Sequence, residues 1–275
     1  PLAGTGWYRL ATLVPALATT LALVAVLGDW FHQDGFVVTE LAMMALVGFS
    51  AFWIALSVAS STIGLFFGRK SVAAASTESK PSLDIALLVP VYNEDTNAVF
   101  ARIQAMRDDL ALTHSHHRCA VFLLSDTRDS TIAAREERLF CSDRTLIEHS
   151  IPLYYRRRTF NSERKTGNIR DWIENWGADW HAFVTLDADS LMSARTIIQL
   201  GDALAADKTA GLIQTVPRLI GADTLFSRVQ QFANNVYGGA LARGLDRWSG
   251  HDGNYWGHNA IIRTSAFAAC AGLPT

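Results

Sequence analysis

The sequence predicts an α/β protein: a mostly parallel sheet with flanking helices, preceded by two transmembrane helices. Three observations carry this prediction. Charge is nearly absent at the start, where residues 1–68 hold only Arg9, Asp29, Asp34 and Glu40, although the 275-residue chain has 24 Lys+Arg and 26 Asp+Glu. From residue 84 onward short apolar runs alternate with stretches of helical spacing, the pattern of strand–helix–strand units packed into layers. Acidic and polar residues then recur just after these apolar runs, at the sheet edge where such folds bind ligands.

The first helix is read from Leu10–Leu27 and the second from Leu41–Gly68, both free of charge. Each meets the length of about 20 apolar residues that a bilayer requires. Pro15 lies inside the first, which is better tolerated in lipid than in water. A signal peptide is the rival reading of that stretch, but no small-residue cleavage site precedes Asp29 and a second span follows closely. Arg9 precedes the first span, Arg69, Lys70 and Lys80 follow the second, and the connection between them carries only acidic charge. Lys and Arg favour the cytoplasmic side, so both ends are expected inside and the short loop outside. Small residues of the second span, Gly48, Ser50, Ala55, Ser57, Ala59, Ser60 and Ser61, either suit close helix packing or are ordinary span composition. The domain reading is therefore 1–70 for the two spans, 71–82 for a small, polar linker, and 83–275 for a cytoplasmic domain. The sequence begins at Pro1 rather than Met, and residues are expected to precede it.

In the domain, Asp84–Val91 is expected as a buried strand, Asn97–Leu112 as a helix, Ala120–Leu124 as a strand and Ser130–Phe140 as a polar helix. Pro152–Tyr155 (strand), Gly167–Trp176 (helix), Ala182–Leu186 (strand), Ala194–Ala206 (helix), Ala210–Val216 (strand) and Thr224–Leu241 (long helix) complete the series. Only 18% of residues are charged, against about 25% in a typical soluble domain. That composition excludes a wholly soluble or a disordered chain. The balanced charge speaks against a nucleic-acid partner. Three widely spaced cysteines, Cys119, Cys141 and Cys270, argue against a disulfide framework and fit a reducing compartment.

The chemistry sits after the strands. Asp187-Ala188-Asp189 follows AFVTL, and residues i and i+2 of an extended chain share a face. Two hard oxygen donors there suit Mg2+ or Mn2+ bridging to a diphosphate; the plain alternative is that Asp189 or Ser190 caps the next helix. Lys165 and Gly167 open another helix, where a cation, a glycine and helix N–H groups would receive phosphate. On these residues alone, the basic run with Arg156, Arg157 and Arg158 reads first as a solvated loop. Tyr92, Asn93, Glu94 and Asp95 follow the first strand; Asp126 follows the second, where its carboxylate could accept from a base or ribose. In Asp246–Asn259 the aromatics Trp248, Tyr255 and Trp256 either stack on a sugar or simply pack. His114, His116, His117 and Cys119 are read as a loop rather than a zinc site, lacking a second pair at ligand spacing. The dinucleotide, P-loop and nucleophile-elbow glycine motifs are absent.

Taken together, Pro90-x-Tyr92-Asn93-Glu94, Asp126, Lys165-x-Gly167-Asn168, Asp187-x-Asp189 and Gln214-Thr215 resemble, in order and spacing, the processive family-2 glycosyltransferases, of which bacterial cellulose synthase is a familiar member. The strings LLVPVYNED, LLSDTRDST, RRRTFNSERKTGNIRDW, LDADS and YWGHNAIIR resemble the branch that makes osmoregulated periplasmic glucans. The resemblance implies a GT-A fold, UDP-glucose as donor, a growing β-linked glucan as acceptor and Mg2+ or Mn2+ as cofactor. It implies that Tyr92, Glu94 and Asp126 hold uridine, Lys165 the diphosphate, and Asp187 and Asp189 metal and nucleotide, with Asp189 coordinating directly. Trp256, Gly257 and His258 would lie on the acceptor side. It also implies a multi-pass protein of a bacterial inner membrane, contact with its lipid, and a periplasmic glucan-handling partner. The family's general base, its Q-x-x-R-W motif and later spans are expected beyond Thr275, so this stretch alone should bind UDP but transfer poorly. Two other readings stand beside this one: a non-processive transferase acting on a lipid phosphate, and an inert nucleotide-sugar-binding module.

Overall fold

In the computed structural model, which describes residues 5–33, 35–68, 81–146 and 151–270, six strands form one sheet in the order β3-β2-β1-β4-β6-β5. The strands are β1 (Asp84–Val91), β2 (Arg118–Ser125), β3 (Leu153–Arg157), β4 (Ala182–Thr185), β5 (Leu212–Gln214) and β6 (Ala260–Arg263). β1 pairs in parallel with β2 and β4, and β2 with β3. β6 runs antiparallel to both β4 and β5. The sheet is thus mostly parallel, with one reversed strand that the sequence reading did not foresee. The helices of this part are α3 (Thr96–Thr113), α4 (Ser130–Leu146), α5 (Arg164–Trp176), α6 (Ala194–Ala206) and, after β6, α9 (Thr264–Cys270).

The central strands are apolar on both faces because helices cover both. Ile85, Leu87, Val89 and Val91 of β1 and Val121 and Leu123 of β2 pack with Val99, Ile103, Met106 and Leu110 of α3 and Ile197, Leu200 and Leu204 of α6. The alternate residues Ala86, Leu88, Phe122 and Leu124 pack with Ile169 and Trp172 of α5, Trp180 and Phe183. This period-two division places the polar strand ends along one edge, between the helical layers.

The chain divides into two units: Val72–Thr215 with Tyr255–Thr275, which holds the sheet, and Pro1–Ser71 with Val216–Asn254. The second contains α1 (Thr5–Phe31), α2 (Val38–Phe67), α7 (Leu225–Ala233) and α8 (Gly239–Ser249). α1 and α2 are long and apolar enough to cross a membrane. Residues 216–254, read from sequence as part of the domain at 83–275, therefore cluster with the apolar helices. The helix expected at Thr224–Leu241 is interrupted by a π-helical turn at Asn234–Gly238 and runs on to Ser249. Asp34, Arg69, Lys70 and all of the expected linker except residues 81 and 82 lie outside the described residues.

Small side chains explain how α8 meets α2. A Cβ at Gly64 would lie 1.8 Å from the carbonyl oxygen of Ala240, and one at Gly244 would lie 1.9 Å from that of Ser60. Two small pairs one turn apart therefore let the helix backbones touch. Arg243 Nε donates to Gly64 O (3.1 Å) and Arg247 Nε to Phe67 O (2.6 Å), serving carbonyls at the end of α2 that no helical N–H reaches. Arg9 Nε donates to Trp248 O (3.1 Å), and its guanidinium stands over the Trp248 ring. On α7, Leu225, Phe226, Val229 and Phe232 form an exposed apolar stripe.

Candidate active site

The carboxyl ends of β1, β2 and β4 and the start of α5 surround a cavity of about 340 Å3. β1 leads into Tyr92 and Glu94, β2 into Asp126 and β4 into Asp187 and Asp189, while α5 brings Arg164, Lys165 and Asn168. β1 lies between β2 and β4: the chain winds outward through β2 to β3, then returns to β4 on the other side of β1, and a crevice opens there. All six residues expected on the donor side, Tyr92, Glu94, Asp126, Lys165, Asp187 and Asp189, line this one cavity.

Each is held by local structure. Asp126 is 4% exposed and lies against Arg158, which follows β3. The turn that carries Asp126 is anchored from both sides. Asn93, with φ of 55°, accepts on Oδ1 from the N–H groups of Arg128 (3.1 Å) and Asp129 (3.2 Å). Behind it, the hydroxyls of Ser125 (2.7 Å), Thr127 (2.7 Å) and Tyr155 (3.0 Å) all donate to the buried carboxylate of Glu136 on α4. Burial, reinforced by Glu136, raises the Tyr155 pKa, so its proton stays on the phenol.

Lys165 enters through a tight turn. Glu163 and Arg164 both have left-handed φ, 56° and 50°, just before it. Gly167 is required by this turn: a Cβ there would lie 2.2 Å from Ser162 O, so the close approach is to the chain itself. Lys165 Nζ donates to Asp187 Oδ1 and to Gly257 O (3.2 Å). His258 Nε2 stands 3.9 Å from the other Asp187 oxygen. Gly257 and His258 thus reach the cavity's rim, while Trp256 donates its N–H to Gln214 Oε1 (3.2 Å) and leaves its ring exposed.

The structure decides several alternatives left open by the sequence. The cap of α6 is Ser193, whose hydroxyl accepts from Thr196 N, and Asp109 Oδ2 accepts from Ala194 N (2.6 Å). Neither Asp187 nor Asp189 is spent on capping. Asp95, by contrast, caps α3. The basic run is no solvated loop: Arg156 donates to Asn168 O, Arg157 to Thr127 O and Arg158 to Asp126. Among the aromatics, Tyr255 pairs its hydroxyl with Thr185, and Trp248 belongs to α8 in the other unit.

Among the described residues one cluster could hold a metal by composition: His116, His117 and Asp202. The hydrogen bonding opposes it. Leu83 N–H donates to His117 Nδ1 (3.1 Å), which puts the imidazole proton on Nε2, the atom that faces Asp202. His114 ends α3 in a left-handed conformation, and Cys119 is buried, with its thiol pKa pushed up to about 11 by desolvation.

Sequence reasoning passed over Arg158, Glu136 and Asn161. Glu136 leaves a trace, since it shares a helical face with the buried Ala133 and the core-packed Phe140.

The mostly parallel sheet thus carries paired carboxylates, a lysine and a buried aspartate at its switch point. The chain belongs to glycosyl transferase family 2, whose model matches residues 86–270. It is similar to the glucans biosynthesis glucosyltransferase H of Rhodopseudomonas palustris (strain BisA53), 40% identical over 98% of this chain and 38% of the relative. The protein of that name from Vibrio cholerae (Classical Ogawa 395) is also 40% identical, over 98% of this chain and 37% of its own. The chain thus spans under two fifths of the length of these relatives. Its fold is similar to that of the mannosyltransferase PcManGT from Pyrobaculum calidifontis, in complex with GDP-Man and Mn2+. That match has a TM-score of 0.51 and 15% identity, covering 80% of this chain and 57% of the other.

Proposed function

We propose that this chain is the donor-binding part of a membrane-bound inverting glucosyltransferase that takes UDP-glucose and extends the β-linked backbone of osmoregulated periplasmic glucans. The observation that carries the reading is the single cavity lined by Tyr92, Glu94, Asp126, Lys165, Asp187 and Asp189. The likeness to the glucosyltransferases H supports the sugar and the product.

In this reading Tyr92, Glu94 and Asp126 receive the uridine. Asp126 suits the part because it is buried and pre-positioned, so little ordering is needed on binding. Lys165 is a point charge for the diphosphate. It now rests on Asp187, and a bound diphosphate gives it a second anionic partner. Asp187 and Asp189 fit a divalent cation, Mg2+ or Mn2+: both are hard oxygen donors, both line the cavity, and neither is used as a helix cap. When bound, such a cation supplies neutralisation of the charge on the departing UDP. Gly257 and His258 lie beside Lys165 and Asp187, and with the neighbouring Trp256 they are assigned to the side where the acceptor enters.

α1 and α2 are assigned as membrane spans of a bacterial inner membrane, with the sheet unit in the cytoplasm. The exposed stripe on α7 supports this, because a helix of that kind beds in the headgroup layer.

Calorimetric titration of UDP into the detergent-solubilised protein, with and without Mg2+ or Mn2+, tests the reading. Metal-dependent binding that disappears in Asp189→Ala is the expected result. Binding indifferent to metal, or none to folded protein, overturns it.

A further inference from the structure

On the sheet face covered by α5 lies a second cavity, of about 490 Å3, larger than the donor cavity and lined by other residues. That volume falls in the range of about 300–1,000 Å3 typical of small-molecule sites. Its walls are Phe122 of β2, Tyr154 and Arg156 of β3, Trp176 at the end of α5, Trp180 and Arg118. None of these residues has a part in the reaction proposed above.

Two features of the wall point to a ligand. The first is a set of ring faces. Tyr154 stacks on Phe122 with centroids 4.8 Å apart and is still 47% exposed, and Trp176 is partly exposed beside it. The second is the polar wall around them. Arg156 is held by Asn168 O (3.1 Å) and Asp171 (2.9 Å), and its guanidinium stands over the Trp176 ring. Arg118, 61% exposed, and Asp179 line the same cavity. Exposed donor and acceptor groups beside aromatic faces call for a ligand with hydroxyl groups and a ring to stack.

Charge decides between an anion and a neutral ligand. Arg156 is partnered by Asp171, and Arg118 by Asp84 at 2.6 Å, with the Asp179 carboxylate on the rim as well. Two cations against three carboxylates offer no field for a phosphate or carboxylate group. A neutral polyhydroxylated ring satisfies every element. Its hydroxyl oxygens accept from Arg118, its hydroxyl protons reach Asp179, and its C–H face covers Tyr154 or Trp176. We propose that this cavity is a saccharide-binding site, separate from the donor site, that takes one or two neutral hexose units.

The test is calorimetric titration of cellotetraose into the intact detergent-solubilised protein, with glucose 6-phosphate as the anionic probe and UDP titrated in parallel. Saturable cellotetraose binding, weakened at least tenfold in both Trp176→Ala and Tyr154→Ala while UDP binding stays unchanged, is the expected result. Two variants on different elements guard against the misfolding of either one. Glucose 6-phosphate binding more tightly than cellotetraose replaces the proposal with an anion site. Absence of saturable binding, including the case where another segment of the protein fills the cavity, overturns it. So does binding that both variants leave intact. Because UDP is read separately, failure of this proposal leaves the donor site standing, and failure of the donor site leaves this one.

Discussion

Both oxygens of the Asp126 carboxylate accept from one guanidinium: Arg158 Nε reaches Oδ1 and Nη2 reaches Oδ2, each at 2.7 Å. The same Nη2 donates to Arg164 O (3.1 Å) and Nη1 to Ser162 O (3.3 Å). One side chain thereby fixes the carboxylate at the end of β2 and the turn that delivers Lys165. Arg158→Met leaves a buried carboxylate unpaired, a loss of about 3–5 kcal/mol by analogy with other buried pairs. Thermal unfolding should show the destabilisation. Arg158→Lys, which keeps charge but not the fork, should recover part of it and still bind UDP more weakly than the parent.

Lys165 and Asp187 behave differently because both side chains are more than a third exposed, at 37% and 40%. Solvent screening limits such a pair to about 1 kcal/mol or less. Lys165→Met is therefore expected to unfold at nearly the parental temperature while losing roughly tenfold or more in UDP affinity, an outcome that titration and a melting curve separate.

Removal of the Glu136 carboxylate strands three hydroxyls. In Glu136→Leu the hydroxyls of Ser125, Thr127 and Tyr155 lose their acceptor, each at about 1–3 kcal/mol where buried. Denaturant unfolding should register several kcal/mol. Ser125→Ala in the same background should be milder than in the parent, since the partner is already gone.

At the crossing of α2 and α8, Gly64→Val has no room, with Ala240 O 1.8 Å from the first added carbon. The helices must separate, and protease sensitivity within residues 216–254 is the readout. Gly48→Ala meets only a Val24 methyl at 3.0 Å and should be tolerated far better.

Acid sensitivity is expected from His117. Burial holds its pKa below the ordinary 6.5, His116 adds to the lowering, and Asp202 and the Ile198 carbonyl oppose it. The unfolded chain therefore takes up a proton below about pH 6.5 that the folded protein refuses, and stability falls as pH drops from there toward the lowered folded value. Stability measured against pH should flatten over that window in His117→Asn, whose amide oxygen still accepts from Leu83 N.

The strands and helices of the parallel core were readable because each buries a regular face. β1 at Asp84–Val91 and α6 at Ala194–Ala206 fall at the expected residues, and the cavity gathers all six donor-side residues. β6 was not readable. Ala260–Arg263 is four residues long and is a strand because β4 and β5 flank it. Nor was the use of 216–254 readable, since the spacing of Leu225, Val229 and Phe232 marks a helix face without naming what covers it. Arg158 was hidden among three consecutive arginines whose separate partners only the fold distinguishes.

The reversed strand β6 has a kinetic consequence. Residues 216–254 leave the sheet after β5 and return just before β6, and the junction is tied by Thr215 N–H and its hydroxyl to Asn259 O (3.0 and 2.8 Å). Pairing of β6 closes a long loop, an entropy cost that grows slowly with loop length and must be met before the strand gains its bonds. Gly257 and His258 stand beside Lys165 and Asp187 just before β6, so their places depend on its pairing. Backbone amide exchange should accordingly be faster at Ala260–Arg263 than at β1 or β2. Opening of β6 would therefore free Gly257 and His258 from Asp187 while β1 and β2 stay paired.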